Sequence, residues 1–111
     1  MTTTGEWHEA FLRGCLPYAV LTVMAEGPSH GYRVLERVQE RSLGLHKPGT
    51  IYPILRRLAD KGELLAAWDV SSPGPARRVY ELTPQGWASL ANGRRAWEQL
   101  SAALNWKESG S

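Results

Sequence analysis

Residues 46–62, HKPGTIYPILRRLADKG, constrain the chain more than any other stretch. Its second half reads as a good helix, yet Pro48, Gly49 and Pro53, residues that usually end helices, stand at its entrance. With Thr50 as N-cap, Pro53 falls at the third helical position, where its missing N–H removes no intrahelical bond. At about 100° per residue, Ile51, Ile54, Leu55 and Leu58 share one apolar face. Gly49, Pro53, Arg56 and Asp60 lie opposite, with Tyr52 and Arg57 on the shoulders. One side of this helix must therefore be covered by protein, and the other is slim at its tip and cationic one turn further along.

The flanking segments supply the cover. Trp7, Phe11, Leu12, Cys15, Leu16, Ala19, Val20, Val23 and Met24 form an apolar helical stripe, interrupted by Pro17 with Gly14 nearby. Either a first helix stops near Gly14 and a second opens at Pro17, or one long helix kinks there; the break is favoured. Gly27-Pro28 ends this segment, and residues 1–4 and 108–111 are expected to fray. Ser29 is the expected N-cap of the next helix, with Tyr32, Leu35 and Val38 facing inward, running to about Arg41 before a turn at Gly44. The third helix covers about Gly49 to Lys61 and stops before Gly62.

Beyond it, LLAAWDV (Leu64–Val70) and RVYEL (Arg78–Leu82) have strand composition around the turn SSPGPA (Ser71–Ala76). Two strands alone are marginal, so the hairpin must lean on the helices. Thr83-Pro84 then opens a long last helix, expected to reach about Trp106. The fold class is mainly α with a small β-hairpin. Helix–turn–helix followed by a hairpin is a winged-helix arrangement over residues 1–83, with residues 84–111 as a C-terminal helix and tail.

At 111 residues the chain suits one domain that buries roughly 60–68% of its unfolded surface, so a deep enclosed active site is not expected. The longest apolar run, Tyr18 to Ala25, is broken by Thr22 and too short to span a membrane. The lone Cys15 excludes an intramolecular disulfide, fits a reducing cytoplasm and reads as a small buried side chain. His8, His30 and His46 stand apart, so no metal or other cofactor is expected. Without a G-x-S-x-G, a phosphate-cradling glycine loop or an H-E-x-x-H, nothing points to an enzyme.

The net charge of +2 is modest, but its distribution is not even. Residues 1–46 carry −1 and residues 79–111 are neutral, whereas residues 47–78 carry +3 through Lys47, Arg56, Arg57, Lys61, Arg77 and Arg78. A slim helix tip with arginines behind it suits the major groove of double-stranded DNA. The helix dipole there favours phosphate, and Arg bridges to phosphate or to guanine O6 and N7. Arg77-Arg78, just past the hairpin turn, is placed to hold the flanking backbone. The bland alternative is a solvated basic surface on a winged helix that binds protein without DNA contact.

Three stretches also resemble a known family: LRGCLPYAVLTVMAEGPSHGYRVLERVQERS, PGTIYPILRRLADKGEL and ARRVYELTPQG together look like the PadR-like transcriptional regulators. The likeness runs from about Leu12 to Gly86, and PGTIYPILRRL at Pro48–Leu58 is its most specific piece. It implies a homodimeric winged-helix repressor of the compact branch, cytoplasmic and nucleoid-associated when on DNA. Thr50, Tyr52, Pro53 and Arg56 would then belong to the reading helix, His30 and Tyr32 to the supporting helix, and Arg77 and Arg78 to the wing. The N-terminal helix, with Phe11 and Leu12, would join the C-terminal helix in the dimer contact.

The last helix can be read on its own. Leu90, Trp97 and Leu104 are spaced seven apart, with Trp87, Leu100 and Ala103 alongside, and Gly93 and Arg94 interrupt the seam. Such a seam needs a partner, most economically a second copy about a twofold axis. Five tryptophans are many for this length. Trp97 at the seam, with Trp7 and Trp87 as walls, would stack a flat aromatic effector between subunits, as some PadR-like regulators do; the alternative is a dimer core filled with aromatics.

Overall fold

The computed structural model describes residues 3–41, 48–71 and 73–107. The elements run α1 (Thr4–Met24), β1 (Ser29–His30), α2 (Gly31–Arg41), a 3-10 turn (Pro48–Thr50), α3 (Ile51–Asp60), β2 (Leu64–Asp69), β3 (Arg77–Leu82) and α4 (Pro84–Leu104). The expected turn at Gly44 and the basic Lys47 lie outside the described residues.

The break expected at Pro17 does not occur: α1 is continuous through it. An internal proline costs about 3 kcal/mol. Leu12 and Leu16 before it and Val20 and Leu21 after it pack on the same core, and each fully buried aliphatic side chain returns about 1.5–3 kcal/mol. Tertiary packing outweighs the local penalty. The start of α1 is also firmer than expected, because Thr3 and Glu6 form a reciprocal capping box.

Ser29 is not an N-cap. It and His30 pair with Tyr80 and Val79 as the short strand β1, so the sheet has three antiparallel strands in the order β1-β3-β2. The buried stripe of α2 is Gly31, Val34, Leu35 and Val38. Tyr32, expected inside, lies about 60° beyond Leu35 on that helix and is 66% exposed. A side chain on Gly31 would press on Tyr52 and Tyr80, so its bareness sets how closely α2 approaches α3 and the sheet.

α3 buries Ile51, Ile54, Leu55 and Leu58, the four residues of its apolar period. Thr50 stands at the N-cap position, but its backbone is already helical and its hydroxyl caps nothing, because the 3-10 turn runs straight into the helix. The helix ends where Gly62 takes a left-handed φ of 80°, as its position predicts.

α4 starts as expected, with Thr83 as cap and Pro84 in the first turn, and ends at Leu104. Its first turn is knotted to the end of α3. The Thr83 hydroxyl donates to the Gly62 carbonyl (2.6 Å) and accepts from Gly86 N–H (3.0 Å), while Gln85 Nε2 donates to the Lys61 carbonyl (2.9 Å). Further along, Gly93 lies against the Tyr18 ring, so the residue that interrupts the heptad seam is where α4 crosses α1. From Arg94 to Leu104 every residue of α4 is exposed. The radius of gyration, 16.3 Å, exceeds the about 13 Å of a compact chain of this length because this arm projects.

A Cβ on Gly86 would stand 2.0 Å from the Glu63 carbonyl and 2.8 Å from Leu82. Gly86→Ala is therefore expected to destabilise the fold by about 1–3 kcal/mol, whereas alanine at the open Gly49 leaves the denaturation midpoint near wild type. Urea denaturation of both variants checks this.

Candidate nucleic-acid interface

The outer face of α3 is uncovered. Gly49, Thr50, Tyr52, Pro53, Arg56, Arg57 and Asp60 are all exposed, while the opposite face is sealed into the core. Beside it, β2 and β3 form the wing, with Arg77 and Arg78 exposed at its outer end. An open cleft of about 600 Å³ between α2, α3 and β3 is lined by His30, Gly31, Tyr32, Tyr52, Arg77, Arg78 and Tyr80. A second depression holds Arg56 from α3 together with Trp68 and Arg78 from the wing. Helix and wing thus present one continuous surface.

Its cations are uncommitted. Arg13, Arg33, Arg37, Arg41, Lys61 and Arg94 each pair with a carboxylate, and Glu26 clasps both Arg37 and Arg41. Among the described residues Arg56, Arg57, Arg77 and Arg78 have no acidic partner within salt-bridge distance. Arg78 instead lies with its guanidinium 5.1 Å from the centroid of the Trp68 ring, its cross-strand partner. This stacking leaves the positive charge unneutralised.

Two wing residues escaped sequence reasoning. Trp68 is one; the only signal for it is the register that sets it opposite Arg78. Asp69 is the other. His30 Nε2 lies 3.0 Å from its Oδ2, and Ser71 gives Oδ1 two hydrogen bonds, from its N–H (3.0 Å) and its hydroxyl (2.5 Å). The Ser71 hydroxyl and then its N–H, with a smaller contribution from His30, hold the Asp69 carboxyl down at about 2.

The residues marked for pairing and for an effector divide. Leu12 and Leu90 are half-buried against the chain's own core, whereas Phe11, Trp97, Leu100 and Leu104 are exposed. Trp97 faces an apolar groove of about 250 Å³ with His8, Phe11, Leu12 and Cys15. Cys15 is half-buried there rather than enclosed. Trp7 stacks on Phe11 at 5.5 Å, but Trp87 lines a different groove, with Tyr18, Leu90 and Arg94. One chain therefore does not bring the three tryptophans together. Among the described residues no three potential ligands converge as a metal site, and no helix is long and apolar enough to cross a membrane.

Residues 20–92 match the Transcriptional regulator PadR-like family. Transcriptional regulator Rv3488 of Mycobacterium tuberculosis is 36% identical over 91 residues, spanning 82% of this chain and 83% of that one. A PadR-like transcriptional regulator from Bacillus cereus superposes with a TM-score of 0.74 at 25% identity, covering 86% of this chain and 93% of the other. Bacillus subtilis PadR in complex with operator DNA superposes with a TM-score of 0.60 at 28% identity, covering 69% of this chain and 45% of that one.

The Asp69 network has a pH signature. With its pKa held at about 2 rather than 3.8, the Asp69 carboxylate stays ionised in the folded protein as pH falls through the usual aspartate range. The stability it contributes, fully present above 3.8, is lost progressively as pH falls from there through about 2. In a ¹³C titration its carboxyl resonance is expected to move last among the aspartates, and Ser71→Ala is expected to raise its midpoint.

Proposed function

The chain belongs to the PadR-like family of transcriptional regulators, a family of regulators and not of enzymes, and from that premise we propose that it is a homodimeric repressor that holds an inverted-repeat operator with α3 and the wing. One observation carries the reading: four arginines without acidic partners, among the described residues, lie on a single exposed surface of α3 and wing. That Bacillus subtilis PadR was solved with operator DNA, on a matching fold, supports it. α3 enters the major groove tip first, where Gly49, Thr50 and Pro53 permit close approach and Tyr52, Arg56 and Arg57 reach base edges or phosphate. Arg77 and Arg78 hold the flanking backbone, and Tyr32, with His30, lines the cleft between them. Lys47 adds charge just ahead of α3.

Residues 84–111 serve as the dimerisation arm. The exposed Trp97, Leu100 and Leu104, together with Phe11 of α1, are what a second copy covers about a twofold axis. Two reading helices then meet half-sites about 34–36 Å apart. The groove beside Trp97 is apolar and open, which suits a flat aromatic effector stacked between subunits. Such a regulator works in the cytoplasm, on the nucleoid.

Binding to duplex DNA is expected to weaken by roughly 0.9 log units per neutralised phosphate for each log unit of salt. Arg56→Ala should reduce specific affinity by about 1–3 kcal/mol and relax the sequence preference, and Arg78→Ala should weaken all sequences alike. Salt-independent binding, or a footprint of one half-site held by a monomer, contradicts the proposal. For the effector, flat aromatic dyes should quench tryptophan fluorescence saturably, and Trp97→Leu should abolish it; a broad panel without saturable quenching excludes the pocket.

A further inference from the structure

Asp69 stands directly across the ladder from Arg77. Opposed residues of an antiparallel pair bring their Cβ atoms within about 4.5–5.5 Å, a spacing at which aspartate and arginine ordinarily join. Here they are not joined. The carboxylate is held by other donors: Ser71 occupies Oδ1 twice, at 3.0 and 2.5 Å, and His30 Nε2 lies 3.0 Å from Oδ2. His30 does not come from a neighbouring strand. It belongs to β1, on the far side of β3, where it pairs with Val79, two residues along from Arg77 on the same face. Its imidazole therefore crosses the central strand to reach the carboxylate.

We propose that His30 is a positioning residue of the wing: by holding Oδ2 of Asp69 it stops that carboxylate from closing on Arg77, and so keeps the Arg77 guanidinium available to a DNA phosphate. Without that hold, the one acidic side chain opposite Arg77 would neutralise it. The contact does not require a charged histidine, since a neutral ring with its proton on Nε2 donates the same bond. The role rests on the DNA-binding reading of the wing, and it differs from direct contact of His30 with DNA.

Three variants separate the two roles. His30→Ala is expected to lower affinity for a mixed-sequence duplex and to reduce the salt slope by about 0.9 for each bound subunit, the loss of one phosphate contact apiece. Adding Asp69→Asn to His30→Ala should restore both, because the neutral side chain no longer captures Arg77. His30→Gln, which keeps a donor, should bind nearly as wild type. Thermal melts establish that each variant is folded. A His30→Ala protein that binds as wild type, or a double variant that stays weak, overturns the proposal; the second result makes His30 a DNA contact. A readout without DNA guards against failure of the underlying reading. In the free protein the Arg77 Nε–Hε resonance should exchange more slowly with water in His30→Ala than in wild type, and unchanged exchange also refutes the mechanism. If the wild-type chain binds no DNA at all, the functional reading falls, and this resonance still reports whether His30 keeps Asp69 off Arg77.

Discussion

Ile51 and Leu55 are fully buried and Ile54 and Leu58 nearly so, and together they fix α3 on the core formed by α1, α2 and the sheet. Each is worth about 1.5–3 kcal/mol, more than any contact on the outer face can supply. This one-sided burial decides the orientation of every other residue on the helix. With the apolar stripe turned inward, Pro53, Arg56 and Arg57 have no choice but to face outward. The prolines that made the segment look unfit for a helix sit where they cost least, in the turn before it and at its third position.

The wing and the arm are both built from the end of α3. Gly62 turns the chain into β2, and the Lys61–Glu63 backbone receives the first turn of α4 through Thr83, Gln85 and the bare Gly86. The same short junction thus aims the hairpin beside the exposed face of α3 and sends α4 away across α1 at Gly93. The proposed dimeric regulator needs both: a cationic surface at one end, and at the other an apolar one that a second subunit can cover. The ion pairs are arranged consistently with this. Carboxylates pair with Arg13 of α1, with Arg33, Arg37 and Arg41 of α2 and with Arg94 of α4, whereas the arginines of α3 and the wing are left without acidic partners among the described residues.

What the sequence made legible follows from how local the signal is. The stripe of α3 repeats at helical spacing, Thr83-Pro84 marks a helix start, and β-rich runs around a proline–glycine turn mark a hairpin, so these needed only neighbours in the chain. The misses needed distant ones. β1 is two residues long and exists only because Tyr80 and Val79 pair with it. α1 survives Pro17 because both its halves share one core. Tyr32 turned outward because the helix face begins at Gly31, whose missing side chain matters only against Tyr52 and Tyr80. For the candidate site, residue types were legible and partnerships were not. Arg78 over Trp68, and His30 with Asp69, are consequences of strand register and strand order, which no local pattern encodes.

The proposed DNA-binding surface is formed by the partnerless arginines of α3 and the wing, and not by the paired ones. Its most direct test is to titrate a mixed-sequence duplex into the protein at low salt while following the arginine Nε–Hε resonances. The account predicts that Arg56, Arg57, Arg77 and Arg78 move together and saturate, while Arg13, Arg37 and Arg41 stay in place. Movement confined to Arg13 and Arg94, with α3 and the wing silent, would contradict it.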